Sequence, residues 1–175
     1  MIIYDDLVDE QNRDKLEEIL LDPDFPWYFI LRSSGAAPKI DGFEDCPQLV
    51  HRFIEDDRIF SNYIHEVMGL LGWENILRVT GAPERIIRMK TNLLLKTQNT
   101  PNTPHIDYPD PHIVMLYYVN DSSGPTSFYN RKFKVKKEVL PKKGRIIMFD
   151  GSIYHSSTPP TTNDYRCVIN FDLKV

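Results

Sequence analysis

Beyond residue 85 the chain reads as a succession of short extended segments separated by turn signals, and that pattern confines it to a folded-over β architecture. The run 85–97, with Ile86, Ile87, Met89, Leu93, Leu94 and Leu95, fits a strand. So do 112–119, 126–129, the lysine/apolar alternation of 132–136, 145–149 and 166–173. Asp121-Ser122-Ser123-Gly124-Pro125 and Pro141-Lys142-Lys143-Gly144 punctuate them, and 98–104 is a polar, Pro-containing loop. Strands this short at this spacing predict a sandwich or barrel.

The first half has a different period. Leu7, Val8, Leu16, Ile19 and Leu20 recur with helix-like spacing, most clearly toward residue 21, and Asp22-Pro23 supplies a stop. Aromatic, β-prone 25–31 predicts a strand, and 33–38 a loop. From 46 to 71, Leu49, Phe53, Ile59, Tyr63, Val67, Leu70 and Leu71 predict one long or two short helices, with Gly72 as a C-terminal cap. The expected fold is mainly β with N-terminal α support: one domain over 1–175, with 1–80 largely helical and 85–175 a jelly-roll core.

The formal charge of −4 gives no overall reason to expect a nucleic-acid or membrane partner. No apolar run approaches the ~20 residues of a membrane helix. The start, Met1-Ile2-Ile3-Tyr4-Asp5-Asp6, has no basic stretch of the kind that opens a secretion signal. Two cysteines, Cys46 and Cys167, argue against a disulfide scaffold and for a reducing, cytoplasmic setting.

Chemistry concentrates in His105-Ile106-Asp107, a distal His155 and Arg166. In extended chain, residues i and i+2 point the same way, so His105 and Asp107 face one ion while Ile106 turns into the core. Two imidazoles and a carboxylate suit Fe(II), Mn or Zn, and the donor types do not choose among them. By itself His-x-Asp is a weak signal, equally a loop histidine beside a turn aspartate.

The surroundings carry more. Pro104-His105-Ile106-Asp107 leads into a strand ending Tyr117-Tyr118-Val119-Asn120, then Gly124-Pro125-Thr126-Ser127-Phe128, then Gly144 to Phe149 and His155. This order resembles the 2-oxoglutarate/Fe(II) dioxygenase family, in its prolyl-4-hydroxylase-like branch, over roughly 85–175. Pro125 and Val119 depart from the usual residues, at positions that are not ligands. The resemblance implies a double-stranded β-helix with His105, Asp107 and His155 holding Fe(II). It also implies 2-oxoglutarate as cosubstrate, dioxygen as oxidant, ascorbate as an optional reductant, and hydroxylation of an unactivated C–H. Retention of Asp107 disfavours halogenation, since halogenating relatives lose that carboxylate.

Arg166 stands eleven residues after His155, across a polar loop that a hairpin would use to return the strand beside the first. Its planar fork suits a carboxylate, and apolar Cys167, Val168, Ile169 and Phe171 place it in a core strand. In the resembled family the matching residue binds the distal carboxylate of 2-oxoglutarate. Asn170 shares the face of Arg166, and Asn92 and Thr126 are further candidates for the pocket; Cys167 points the other way. His112 reads as structural, and His51 and His65 as surface or packed histidines.

The resemblance implies a prolyl residue in a peptide or protein as substrate, with a free amino acid or another small molecule as the alternative. Nucleic acid is disfavoured, because Asp172 occupies the place of a second arginine found in the demethylase branch. The basic stretch 131–143 reads as an edge strand guarded by lysines, or else as a rim that attracts an acidic peptide or a phosphate backbone. A metal-binding jelly roll without turnover is the rival from another class.

Overall fold

The computed structural model describes residues 1–35, 37–97 and 100–175; Ala36 in the expected loop 33–38, and Gln98 and Asn99 in the loop 98–104, lie outside the described residues. In chain order the elements are β1 (Ile2–Tyr4), α1 (Glu10–Leu20), β2 (Tyr28–Ile30), β3 (Gln48–Glu55), β4 (Arg58–Ile59), α2 (Ile64–Leu71) and α3 (Trp73–Thr80). The second half adds β5 (Arg85–Leu95), β6 (Ile113–Tyr118), β7 (Thr126–Tyr129), β8 (Val135–Val139), β9 (Ile146–Asp150), β10 (His155–Ser157) and β11 (Tyr165–Lys174). A large antiparallel sheet runs β1-β9-β6-β11-β5-β3-β2, with β4 beside β3, and a small one runs β10-β7-β8.

Alternation along the central strands sorts the layers. Cys167, Ile169, Phe171 and Leu173 of β11 join Met89, Leu93, Met115 and Tyr117 in a core with Leu16, Leu20, Val67, Leu71 and Ile76 of the helices. Trp73 stacks on Phe171 at 5.1 Å and 13°. The opposite face carries Val114, Leu116, Tyr118, Phe149 and Val168 against Phe128 and Val139, filling the space between the sheets. That second face also bears the polar residues of the site.

Local rules explain the helices. Asp9 caps α1 by accepting from the Asn12 N–H at 2.9 Å, and Trp27 donates its indole N–H to the Leu20 carbonyl at the other end. Gly72, at φ 63°, ends α2 in the left-handed conformation. It also begins α3, an element that sequence periodicity did not indicate.

Three expectations need correction. Residues 48–59 are strands: β3 pairs with β5 in the register Leu49↔Leu93 and His51↔Thr91, and β4 returns along it as a hairpin. The four-residue spacing of Leu49 and Phe53 mimicked a helix, but backbone pairing to β5 decided the outcome. The overlooked signal is Asp56-Asp57, both at positive φ, the two-residue turn of a tight hairpin. The strand expected at 132–136 begins instead at Val135, because the Asn130 side chain accepts from the Lys132 and Lys134 N–H groups and folds 130–134 into a turn. It is an edge strand, as its lysines indicated. Finally, β10 and β11 are not a hairpin: β10 pairs with β7, and β11 lies between β5 and β6 in the other sheet.

Candidate metal centre

The two histidines meet because the sheets do. His155 opens β10, while His105 lies in an irregular segment attached to it by an isolated antiparallel bridge. Anchors upstream hold that segment. Asn102 donates its N–H to the Ser157 carbonyl at 3.0 Å and its amide to the Ser157 hydroxyl at 3.1 Å. The Thr103 N–H donates to Asp45 Oδ1 at 3.0 Å, and Asp45 also accepts from Arg32, Ser33 and Ser34. The segment 32–34 and the metal loop therefore share one buried carboxylate.

Each imidazole is fixed in one tautomer. His105 Nδ1 lies 2.9 Å from the Thr103 carbonyl and His155 Nδ1 lies 3.0 Å from the Ile153 carbonyl. A carbonyl only accepts, so both Nδ1 atoms carry hydrogen and both Nε2 atoms are free to ligate when neutral. The ligand atoms of His105, Asp107 and His155 lie within 4.8 Å of one another. Two Nε2 lone pairs and one carboxylate oxygen on one side of a common point fit a divalent ion.

The charges respond to this crowding. Burial pushes the Asp107 carboxyl up, but the His155 hydrogen bond and the charges of His155, Lys90 and Arg88 hold it well below the usual range. Burial pulls His155 down, yet the 3.1 Å contact with Asp107 raises it overall. Burial and the neighbouring charge of His155 lower His105. Asp107 and His155 thus lie within hydrogen-bond reach of each other.

Further side chains aim Asp107. Arg88 Nη2 lies 2.7 Å from Asp107 Oδ1 and 2.7 Å from Asp172 Oδ2. Asn170 donates its amide to Asp107 Oδ2 at 3.3 Å. Asp172 is fully buried, and burial followed by the charge of Asp107 pushes its carboxyl up to about 6. Arg88, Lys90 and Asp172 were missed by sequence reading, although the alternation that grouped Arg166 with Asn170 extends to Asp172 and, across the register, to Lys90 and Arg88.

Arg166, 2% exposed, lies beneath the centre. It donates Nε–H to the Gly124 carbonyl at 2.9 Å and an Nη2–H to Thr126 Oγ1 at 2.7 Å, with its guanidinium over the Tyr118 ring. Thr126 Oγ1 also accepts from the Tyr118 hydroxyl at 2.7 Å. With both lone pairs occupied, the Thr126 O–H is left to donate. Gly124 also lets the 158–159 backbone pass close by, since a Cβ there would collide with the Thr158 carbonyl.

Arg166, Thr126, Asn92 and Asn170 line one small cavity with His105, Asp107 and His155, so every candidate from the sequence converges on one place. Asn92 and Asn170 each keep a buried amide oxygen without a partner among the described residues. Free guanidinium and hydroxyl donors at one end and an ion site at the other fit a short diacid chelating through its far end.

Ile106 does not turn into the core. It is 39% exposed and lines a cleft of about 730 Å³ that opens onto His105 and Asp107, because the segment bends after its single bridge. His112 is buried against Gly151, its Nδ1–H donating to the Asp110 carbonyl. His51 is packed between the Pro26 carbonyl and the Ser61 hydroxyl, and His65 is exposed. None of the three joins the centre.

No protein-family model matches the chain, and no curated protein matches it in sequence. Solved structures do match. A 2OG-Fe(II) oxygenase family oxidoreductase from Burkholderia pseudomallei is similar over 92% of this chain and 76% of its own, with TM-score 0.66 and 14% identity. A prolyl hydroxylase from Trichoplax adhaerens, in complex with a hypoxia inducible factor peptide fragment, covers 99% and 83% with TM-score 0.66 and 13% identity. The α-ketoglutarate-dependent epimerase SnoN of nogalamycin biosynthesis covers 99% and 78% with TM-score 0.66 and 11% identity. Across neighbours of such different chemistry what is common is the scaffold, and this chain has the double-stranded β-helix fold of the 2-oxoglutarate/Fe(II) oxygenases.

Proposed function

We propose that the chain is an Fe(II)- and 2-oxoglutarate-dependent dioxygenase that hydroxylates an unactivated C–H. The observation that carries this is the single cavity lined by His105, Asp107 and His155, with both Nε2 atoms turned toward the carboxylate, and by the unspent donors of Arg166 and Thr126. His105, Asp107 and His155 would hold the iron, and Arg166 with Thr126 the distal carboxylate of 2-oxoglutarate. Asn92 and Asn170 supply polar contacts along the cavity. When bound, iron and 2-oxoglutarate supply the oxidising power, with dioxygen consumed and succinate, carbon dioxide and a hydroxylated product released.

The protein's part is positional. Arg88 and Asn170 fix the plane of Asp107, the carbonyls of Thr103 and Ile153 fix the rings, and Leu116 and Val168 give the cavity apolar walls. Excluding water there strengthens the Arg166 interaction. No protein acid or base is required.

For substrate, the prolyl-hydroxylase-like motif order favours a prolyl residue in a peptide or protein. A second reading, a free amino acid or other small acid, is favoured by a cation at the mouth of the site, Lys90. Two free thiols suit a cytoplasmic protein, and among the described residues no helix is long and apolar enough to cross a membrane. The test is succinate formation from 2-oxoglutarate with Fe(II) under air, using Pro-containing peptides and free amino acids. Metal binding with no turnover across that panel would favour a non-catalytic metal-binding module.

A further inference from the structure

Lys90 lies on β5 directly across from Asn170 of β11, and it lines both the metal cavity and the wide outer cleft. Its neighbour on the same face, Arg88, has two carboxylate partners, Asp107 and Asp172. Lys90 has no hydrogen-bond or ion-pair partner among the described residues. Glu55, the remaining acid that influences it, is paired with Arg52. Burial first, then the charge of Arg88, lowers its ammonium from the ordinary lysine value. A half-buried cation beside another cation wants an anion.

The cosubstrate does not supply that anion. Arg166 and Asn170 stand four residues apart on β11, roughly 13 Å along a strand that rises about 3.3 Å per residue. A five-carbon diacid seated on Arg166 and chelating at the His–Asp–His cluster is used up before it passes Asn170. In formal charge, a divalent ion, the dianionic cosubstrate, Asp107, Asp172, Arg88 and Arg166 cancel, and Lys90 is left over. The cleft beyond it is largely apolar, walled by Ile30, Pro38, Ile40, Ile106, Phe133 and Tyr154. Phe133 is held at φ 54°, an unfavourable value for a bulky residue, and packs edge-on against Tyr154 at 5.2 Å.

Resting on the dioxygenase reading above, we propose that Lys90 is a specificity-determining residue that binds a carboxylate of the substrate, and that the substrate is a carboxylic acid with an apolar body. One leftover positive charge matches a monoanion. The Phe133–Tyr154 wall takes the apolar part, leaving its C–H bonds beside the metal site. A free acid and an acidic side chain in a peptide present the same group, and the experiment separates them.

The measurement is calorimetric binding to protein loaded with redox-inert Zn(II) and saturating 2-oxoglutarate. The probes are N-acetyl-L-proline and 3-phenylpropionate, each against its primary amide, and a blocked Pro-Glu peptide against its Pro-Gln counterpart. In at least one pair the acid should bind at least about tenfold more tightly, the scale of one charge-assisted hydrogen bond. Lys90→Met and Lys90→Gln should remove that preference, Lys90→Arg should keep it, and 2-oxoglutarate affinity should stay within about twofold. The pair that discriminates names the source of the carboxylate. Equal binding of acid and amide in every pair, no binding at all, or a preference that survives in Lys90→Met overturns the proposal, as does a Lys90→Met variant that loses 2-oxoglutarate instead. Failure of wild-type protein to bind 2-oxoglutarate would sink the dioxygenase reading and with it the charge count behind Lys90, whereas equal binding of acid and amide with 2-oxoglutarate bound sinks the Lys90 proposal alone.

Discussion

His105 and His155 are joined through their backbones: each N–H donates to the other's carbonyl at 3.0 Å. The bridge brings the imidazole centroids to 5.1 Å. Two residues fifty positions apart therefore behave as neighbours on a ladder, and the ring tautomers are set by carbonyls two residues upstream of each. The entropy of gathering the donors is met in folding, which leaves ion binding to the ligand bonds themselves.

Removing either ring should therefore be felt in metal affinity directly. His155→Ala and His105→Ala should each weaken Mn(II) or Zn(II) binding by more than about 100-fold, beyond the 10–100-fold typical of residues that only support a ligand. His112→Ala, which removes a buried ring touching none of the ligands, should cost stability but change metal affinity by less than about threefold. Equal losses in all three would show that His112 belongs to the site. Titration of the metal-free proteins decides it, with His155→Ala also expected to abolish metal-dependent succinate formation.

Arg166 makes a separable prediction. Two of its donors are spent on Gly124 and Thr126, so its remaining donors are oriented by the protein before a ligand arrives. Arg166→Ala should raise the 2-oxoglutarate concentration needed for half-saturation by at least about tenfold, the scale of a lost charge-assisted pair. Thr126→Val should raise it less, by roughly fivefold, because the hydroxyl is a single uncharged donor to that carboxylate. Metal affinity measured without 2-oxoglutarate should be unchanged in both. An unaltered 2-oxoglutarate requirement in Arg166→Ala would remove this end of the pocket from the reading.

Much of this was legible in the chain because its signals are local. His-x-Asp, Gly124 before Thr126, and an arginine within an apolar strand each carry their chemistry in a few residues. The period-2 alternation of β11 grouped Arg166 with Asn170 correctly. What escaped depends on pairing at a distance. Residues 48–55 form a strand because β5 offers an open edge, and nothing within the octapeptide says so. Arg88 and Lys90 read as ordinary charges on a strand until the register of β5 against β11 puts them beside Asp172 and Asn170. Asp172, noted only for not being an arginine, proves to be a buried partner of Arg88.

That last pair predicts a strong non-additivity. Arg88 holds two buried carboxylates, so Arg88→Met should leave Asp172 without its ion-pair partner and Asp107 without one of its cations, and destabilise the metal-free protein by about 3–5 kcal/mol. Asp172→Asn in the same background removes one of the charges and should recover a large part of that loss. Urea denaturation of the two single variants and the double variant measures the coupling. Additive effects would mean that water, and not Arg88, solvates these carboxylates.

The amino-terminal strand gives the pH prediction. β1 pairs with β9, and Asp5 just beyond it accepts two hydrogen bonds from Arg145, at 2.8 and 3.0 Å. The Arg145 hydrogen bonds, outweighing partial burial, lower the Asp5 carboxyl to about 2. An unfolded aspartate titrates near 3.9, so the folded state binds the proton less readily. The clasp is therefore fully stabilising above about pH 4 and is lost as the pH falls toward 2. Asp5 is about a third exposed, with a side-chain accessibility of 32%, so solvent screening limits the effect to about 1 kcal/mol or less. Asp5→Asn should lower the urea midpoint measurably at pH 6, and the gap from wild type should narrow steadily as the pH falls from 4 toward 2. A gap that persists unchanged at pH 2.5 would assign the stabilisation to packing of β1 on β9, because only the charge–charge contribution disappears when the carboxylate is protonated.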